Sequence, residues 1–245
     1  MGKFETTVTL PTNGFLYPEE NNITEVTLRD ITTKEEKMLL GSTSDNTITN
    51  IVKACIVSPK FDVDNLITSD LHFLLLQLRI HTYGAIYKVS FRCPNCGTSE
   101  IAPINLEEDL FCYRFEEPFK QPFEFELPVS KKTLGCRLLT NKDSRFISNF
   151  AKKLSKNSPQ NRQQVSYNLR MAKHIVTIDG EEVNDGQAQR FVQDLHGKDS
   201  AYFWWKINDI KIGYDTEVEH TCSNCGTDFD ITMPISGEFF RPTFD

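Results

Sequence analysis

The sequence predicts an α+β fold in which two cysteine-bearing β-hairpins form a split ribbon, with helices around it and a long α/β insertion between its halves. Residues 92–100 and 221–230 each contain C-x-N-C-G-T, and alternating residues typical of β-strands flank both copies. Between Cys96 and Cys222 lie 125 residues, which is enough for a folded unit. We therefore expect the chain to leave the ribbon after its first hairpin and return to complete it.

The N-terminal third of the chain predicts two strands, an aromatic arm and three helices. Residues 4–9 alternate as a β-strand does, and the prolines and glycine of residues 11–18 then favour an extended loop. Thr33 and Glu36 suit a capping box at the start of the first helix. After the loop we expect a strand over 25–30 and helices over 32–40, 46–56 and 70–84. The last of these helices is expected to be capped by Ser69 and to end at Gly84.

The chain changes character after residue 110. Residues 113–128 mix prolines with phenylalanines and glutamates, which favours an extended connector or a sheet edge over a packed helix. Further on, strands are expected over 132–140 and 174–183, and helices over 143–156, 159–173, 185–195 and 199–211.

Four parts of the chain follow from these boundaries. An N-terminal strand and extended aromatic arm occupy residues 1–32. Residues 33–110 and 212–235 together form a helical domain with the split ribbon. Residues 111–211 form an inserted α+β domain, and residues 236–245 form an aromatic tail.

The two C-x-x-C pairs predict a metal site. Two residues between the cysteines let both sulfurs face one ion at about 2.3 Å, and the following glycine permits the tight turn. Two such hairpins supply four thiolates, so we expect Cys93, Cys96, Cys222 and Cys225 to bind one structural Zn²⁺ and to leave no open position for catalysis. A thioredoxin-like redox pair is disfavoured, because it needs a helix after the first cysteine and strands follow both pairs.

The remaining cysteines and the nearest histidine have simpler interpretations. Cys55, Cys112 and Cys136 have no partners at ligand spacing and are expected to be small buried residues. His220 lies two residues before Cys222 and either supports the metal ligands or faces away along its strand, the second being favoured. An odd number of cysteines, seven, in an acidic chain argues against a disulfide framework.

Composition excludes several classes of function. The net charge of −7 repels phosphate backbones, and the most basic stretch, Lys152–Arg170, is interpreted as the solvated side of two helices. No apolar run reaches the ~18 residues of a membrane span, and the N-terminus lacks a signal peptide, so a cytoplasmic protein without membrane or nucleic-acid partners is expected. No nucleotide-binding, hydrolase or metalloprotease motif occurs, and we expect no enzyme.

Aromatic residues in the arm and the tail indicate a partner surface. Such segments either pack on their own domain or dock into another protein, and aromatic anchors on a proline-stiffened backbone suit interfaces. The residues predicted to bind a partner are Phe15, Leu16, Tyr17, Phe239, Phe240 and Phe244.

Three segments in order resemble a known family. LPTNGFLYP at 10–18, VTLRDITTKEEKMLLG at 26–41 and RIHTYGAIYKVSFRCPNCG at 79–97 are similar to the baseplate hub and hub assembly proteins of T4-like contractile-tailed bacteriophages. The resemblance covers residues 8–110 and implies a non-enzymatic role in building the central hub, as a component or as an assembly chaperone. It also implies other hub proteins as partners and a location in the host cytoplasm during assembly or in the virion tail baseplate. The oligomeric state is left open, a homo-oligomer included.

A nucleic-acid-binding or transcription-related zinc ribbon is the competing hypothesis. It requires basic residues around the cysteine turns. Only Lys88 and Arg92 lie close to the first pair, whereas Glu217 and Glu219 precede the second. The charge near the cysteines therefore favours a protein partner.

Overall fold

The computed structural model describes residues 4–18, 23–41, 45–154, 161–233 and 237–240. Within these ranges helices and small antiparallel sheets alternate, which confirms the α+β prediction. The strands are β1 (Glu5–Thr9), β2 (Glu25–Arg29), β3 (Ile56–Ser58), β4 (Ile86–Arg92), β5 (Ser99–Asn105), β6 (Cys112–Tyr113), β7 (Phe123–Glu126), β8 (Thr133–Cys136), β9 (Ile175–Ile178), β10 (Glu181–Glu182), β11 (Gly213–Tyr214), β12 (Glu217–Thr221) and β13 (Asp228–Thr232). The helices are α1 (Thr33–Gly41), α2 (Asp45–Cys55), α3 (Thr68–Tyr83), α4 (Asn141–Leu154), α5 (Asn161–His174), α6 (Asp185–Gln193) and α7 (Gly197–Asp209).

Helix α3 is the centre of the first hydrophobic core. Its leucines and phenylalanine point to all sides of the helix, and a helix that is apolar all round must be buried. The sheet β1-β2-β3 packs against it with α2. The same core continues into the bases of the two cysteine hairpins through Val89, Ile104 and Ile231.

The inserted segment builds a second core of its own. Its sheet has the order β10-β9-β8-β7, with every neighbouring pair antiparallel. Phe203 of α7 is fully buried against this sheet and against α5. Phe125, Leu134 and Cys136 supply the sheet side of the core.

Helix α3 separates the insertion from the ribbon. At its start, the Thr68 N–H donates to the Leu139 carbonyl at 3.0 Å and the Thr68 hydroxyl lies 3.1 Å from that of Ser144 on α4. At its end, Gly84 with φ of 89° leads directly into β4. A helix of 16 residues spans about 24 Å, so α4 and the ribbon lie at opposite ends of that length.

Several local predictions differ from the structure. Residues 11–17 form consecutive turns, with the Tyr17 N–H donating to Gly14, and not the extended arm that the prolines suggested. The first helix is capped one residue earlier than expected, because the Glu35 carboxylate accepts both the N–H and the hydroxyl of Thr32. Helix α3 begins at Thr68, so Ser69 lies in its first turn and is not the cap; the N-cap residue is Ile67, which makes no side-chain cap hydrogen bond.

Among the helices of the described ranges, none combines the length and the apolar character that a membrane crossing requires.

Candidate metal centre

The two cysteine turns have the same backbone hydrogen bonds. In the first hairpin, the Gly97 N–H donates to the Cys93 carbonyl at 3.0 Å, and the Cys93 N–H donates to Thr98 at 2.9 Å. Gly97 has a φ of 75° and Gly226 one of 68°, in the left-handed region that favours glycine. In the second hairpin the same two bonds recur at 2.9 and 3.0 Å, joining Gly226 to Cys222 and Cys222 to Thr227.

The four sulfurs lie close together in a geometry that suits one metal ion. The Sγ atoms of Cys93 and Cys225 are 3.7 Å apart, as are those of Cys96 and Cys222, and all four lie within 4.8 Å of one another. Sulfurs at the corners of a tetrahedron, each about 2.3 Å from a central ion, are separated by about 3.8 Å. The structure thus brings together all four cysteines that the sequence predicted as ligands.

Each hairpin contributes one buried and one exposed cysteine. Cys93 and Cys222 are 2% and 1% exposed, whereas Cys96 and Cys225 face solvent. The Thr98 hydroxyl, 3.3 Å from the Cys96 sulfur, and the Thr98 backbone N–H lower the pKa of Cys96 to about 5. Thr227 lowers the pKa of Cys225 in the same way. Both effects favour the thiolate, which is the form that binds a metal, whereas the pKa of Cys222 beside the other sulfurs is raised.

A polar contact that sequence reasoning missed joins the hairpins beside the sulfurs. Glu100 on β5 accepts hydrogen bonds from the backbone N–H of Ser223, at 3.1 Å, and from its hydroxyl. The His220 Nε2 atom lies 3.2 Å from the same carboxylate, and the His220 ring packs on Phe91 at 4.5 Å. Hydrogen bonds from Ser223 and then from His220 hold the pKa of Glu100 below its usual value.

His220 therefore faces the interior of the ribbon, where sequence reasoning had favoured a strand residue facing away. A signal for this arrangement exists in the repeat itself. Two residues before each first cysteine stand Phe91 and His220, and four residues after each second cysteine stand Glu100 and Phe229. The repeat thus places these four residues at equivalent levels of the two stems, and Glu100 and His220 are the polar residues among them.

The cysteines outside the cluster are buried to different degrees. Cys55 and Cys136 are fully buried, and burial raises the pKa of each thiol to about 12. Cys112 is half-buried at the start of β6. None of the three belongs to the four-cysteine cluster found in the described part of the chain.

The predicted partner residues of the arm lie beside a buried carboxylate. The Tyr17 hydroxyl donates to Asp70 at 2.5 Å and accepts the Ile67 N–H at 3.1 Å, while Thr12 donates to Asp70 with both its N–H and its hydroxyl. Burial raises the pKa of Tyr17, so the hydroxyl keeps its proton. These bonds fix the turns of residues 11–17 on α3. Phe15 is partly exposed and Leu16 half-buried, and both remain predicted contact residues.

Of the predicted partner residues of the tail, two are buried and one lies outside the described residues. Phe239 and Phe240 lie inside the first core, at 0% and 2% exposure. The buried Arg79 guanidinium donates to the Phe239 carbonyl at 2.8 Å, and the Phe239 ring packs on Tyr87 at 5.0 Å. Both rings therefore pack on the protein's own domain, which is one of the two arrangements expected for an aromatic segment; the other was docking into a partner. Phe244 lies outside the described residues.

Fold and site together define a class: an α+β protein whose two distant cysteine hairpins meet in a four-thiol site of metal-binding geometry. Residues 1–241 match the family described as T4 bacteriophage base plate protein. The chain belongs to that family, which confirms the T4-like baseplate resemblance. No curated protein and no solved structure matches the chain.

Proposed function

We propose that the protein acts without catalysis in assembly of the central hub of the phage tail baseplate, by binding other hub proteins, with its ribbon held together by one structural Zn²⁺. The family match over residues 1–241 is the observation that supports the baseplate role. The hub is the part of the baseplate favoured by the similarity of residues 8–110. The protein acts in the host cytoplasm during assembly, as a hub component or as an assembly chaperone.

The geometry of the four cysteines supports zinc. Two sulfur pairs, Cys93–Cys225 and Cys96–Cys222, are 3.7 Å apart, close to the spacing of about 3.8 Å expected for tetrahedral thiolate coordination, and all four sulfurs lie within 4.8 Å of one another. A site of four thiolates suits a structural zinc ion, since zinc prefers tetrahedral sulfur ligands and no position is left for water. The chemistry that the ion supplies is cross-linking of two segments that are far apart in the chain.

Elemental mass spectrometry on protein purified without added metal tests the zinc proposal. We expect one zinc per chain, and loss of that zinc in C96S and in C225S. C112S is the control, because Cys112 is the half-buried cysteine outside the cluster. Zero zinc, or two zinc ions per chain, would contradict a single shared site.

The hub role can be tested with a phage in which a nonsense codon interrupts this gene. We expect lysates to accumulate outer baseplate parts without assembled hubs, and a plasmid copy of the wild-type chain to restore hubs. Mass spectrometry of purified tails then separates the two roles, because a component stays in the particle and an assembly chaperone does not. Normal hub assembly in the absence of the protein would refute the proposal.

Phe15 and Leu16 are the described residues through which we propose contact with a hub partner. Leu16 and Tyr17 line a cavity of about 450 Å³ together with Phe61 and Arg137. An apolar cavity wall beside an exposed aromatic ring suits an apolar anchor from another protein. We expect F15A/L16A to fold normally and to recover fewer hub proteins from infected-cell lysate, and recovery equal to wild type would exclude this surface.

The competing function, a nucleic-acid-binding zinc ribbon, finds little support around the cysteine turns. The second hairpin exposes Glu217, Glu219, Asp228 and Asp230 near its cysteines. Carboxylates at that position repel a phosphate backbone. A salt-dependent shift of duplex DNA by this protein would favour the competing function.

A further inference from the structure

Positive charge is concentrated in one helical hairpin of an otherwise acidic protein. Residues 141–174, which form α4, α5 and their connection, contain eight lysines and arginines against one acidic residue. The whole chain has 27 basic and 34 acidic residues. Arg145 and Lys173 are already paired with Asp64 and Asp185, which lie outside the hairpin. The remaining cations still give the hairpin an excess of positive charge, and such an excess attracts an acidic surface.

One face of α4 is exposed and combines cations with apolar groups. Lys142, Phe146, Asn149 and Lys153 follow one another at helical spacing and are all exposed. Phe146 is 43% exposed and stacks on Phe150, and Leu154 at the helix end is 60% exposed. Within the described ranges, Lys142 and Lys153 form no ion pair. We name Lys142, Phe146, Asn149, Lys153 and Leu154 the α4 face.

The outer surface of the second cysteine hairpin carries the opposite charge. Alternation along β12 and β13 directs Glu217, Glu219, Asp228 and Asp230 to solvent, and we name these four residues the acidic ribbon face. Glu219 stands directly opposite Asp230 in the strand register. Like charges in this position destabilise a sheet, and no ion pair with a described residue relieves them.

The two charged faces lie too far apart to meet within one molecule. Helix α4 packs at the start of α3, where Thr68 contacts Ser144. The ribbon continues from the end of α3, and β12–β13 packs on β4–β5 through Phe91 and Phe229. The intervening helix spans about 24 Å. The two faces therefore do not neutralise each other within one molecule, and each is free to meet the opposite charge of another molecule.

We propose that the acidic ribbon face of one copy binds the α4 face of a second copy, so that the protein associates head to tail. Carboxylates at Glu219 and Asp230 then pair with Lys142 and Lys153, and burial of the Phe146 and Leu154 side chains adds apolar contact. A second copy carries both complements at once, whereas duplex DNA would satisfy only the α4 face. Because donor and acceptor surfaces differ, each contact leaves one face of each kind free, and the assembly extends or closes into a ring.

This association is independent of the proposed hub role and can be measured on the purified full chain. Sedimentation velocity across a concentration series at low salt should show a weight-average mass that rises with protein concentration. The rise should vanish at high salt, since exposed charges separated by more than a Debye length are screened. E219Q/D230N and K142Q/K153Q should each weaken association by about tenfold or more. E116Q/E117Q and K120Q are matched controls at exposed sites outside both faces and should associate like wild type.

Mixing the two variants gives a sharper test. E219Q/D230N keeps only the α4 face, and K142Q/K153Q keeps only the acidic ribbon face. An equimolar mixture should therefore form dimers and no larger species, while each variant alone stays monomeric. A wild-type protein that remains monomeric at low salt would overturn the proposal. So would association that survives both variants, or duplex DNA that binds the α4 face more tightly than a second copy does.

Discussion

The two cysteine hairpins are alike at their tips and different in their stems. Both tips have the sequence C-x-N-C-G-T, the same pair of backbone hydrogen bonds and a threonine hydroxyl 3.3 Å from the exposed sulfur. The stem of the first hairpin has seven residue pairs and exposes Ile86 and Ile101. The stem of the second has five pairs and exposes carboxylates. The proposed metal site constrains the tips alone, and the surroundings of each hairpin determine its stem.

The contact between the two stems shows where the sequences of the hairpins differ. At matched positions the first hairpin has Phe91 and Glu100, and the second has His220 and Phe229. The rings of Phe91, His220 and Phe229 pack at centroid distances of 4.5 to 5.6 Å, and Glu100 meets His220 and Ser223 at the edge. Two identical stems would place two glutamates or two histidines together, so the departure from symmetry lets a glutamate and a histidine meet instead.

The largest effect should come from removing a cysteine of the proposed metal site, and it should be the same in either hairpin. C93S and C222S each delete a buried sulfur, so we expect both to lose the metal and to lower the Tm by about 10 °C or more, because metal binding is coupled to folding of the ribbon. Calorimetry with parallel metal analysis measures both quantities, and C112S serves as control. If one variant kept its metal and its Tm, the two tips would not share a site.

A smaller loss of stability, again equal in the two hairpins, is expected when the turn glycines are replaced. An alanine at Gly97 or Gly226 would have to adopt a positive φ, which costs about 1–2 kcal/mol. A Cβ at Gly226 would meet open space, and one at Gly97 would lie 3.3 Å from the Arg92 side chain, which can move. Urea unfolding of G97A and G226A should therefore give similar losses. A difference of several kcal/mol would show that one turn is far more constrained than the other.

Local sequence predicted those parts of the fold whose determinants lie close together in the chain. The twin cysteine turns, most of the helices and the strands flanking the cysteines follow from spacing and periodicity, and the four sulfurs meet as the repeat required. The short strands β3 and β11 were not predicted, because two or three residues carry no periodicity and their pairing partners are distant. Tertiary contacts likewise moved the cap of α1 to Thr32 and placed Phe239 in the core.

The contact between the stems can be tested where the two hairpins differ. E100Q keeps the shape of the side chain but replaces one oxygen acceptor of Ser223 and His220 by an amide donor. We expect a lower Tm, by less than for the cysteine variants, and a non-additive effect when E100Q is combined with H220F. Thermal unfolding of the single and double variants measures this coupling, with E107Q as an exposed control in the loop after β5. Strict additivity would mean that Glu100 and His220 do not interact.

The smallest effect should be a gain in stability, and it concerns the acidic face that only the second hairpin has. Glu219 and Asp230 oppose each other across β12 and β13, and cross-strand like charges are unfavourable. D230T should therefore stabilise the monomer by about 0.5 kcal/mol, because threonine removes the repulsion and favours a strand. Urea unfolding at low salt measures the gain, and high salt should shrink it by screening. The same substitution should weaken head-to-tail association. A D230T variant that is more stable as a monomer but associates less would show that Glu219 and Asp230 favour binding and destabilise the hairpin. A loss of stability in D230T would instead show that Asp230 is compensated within its own molecule.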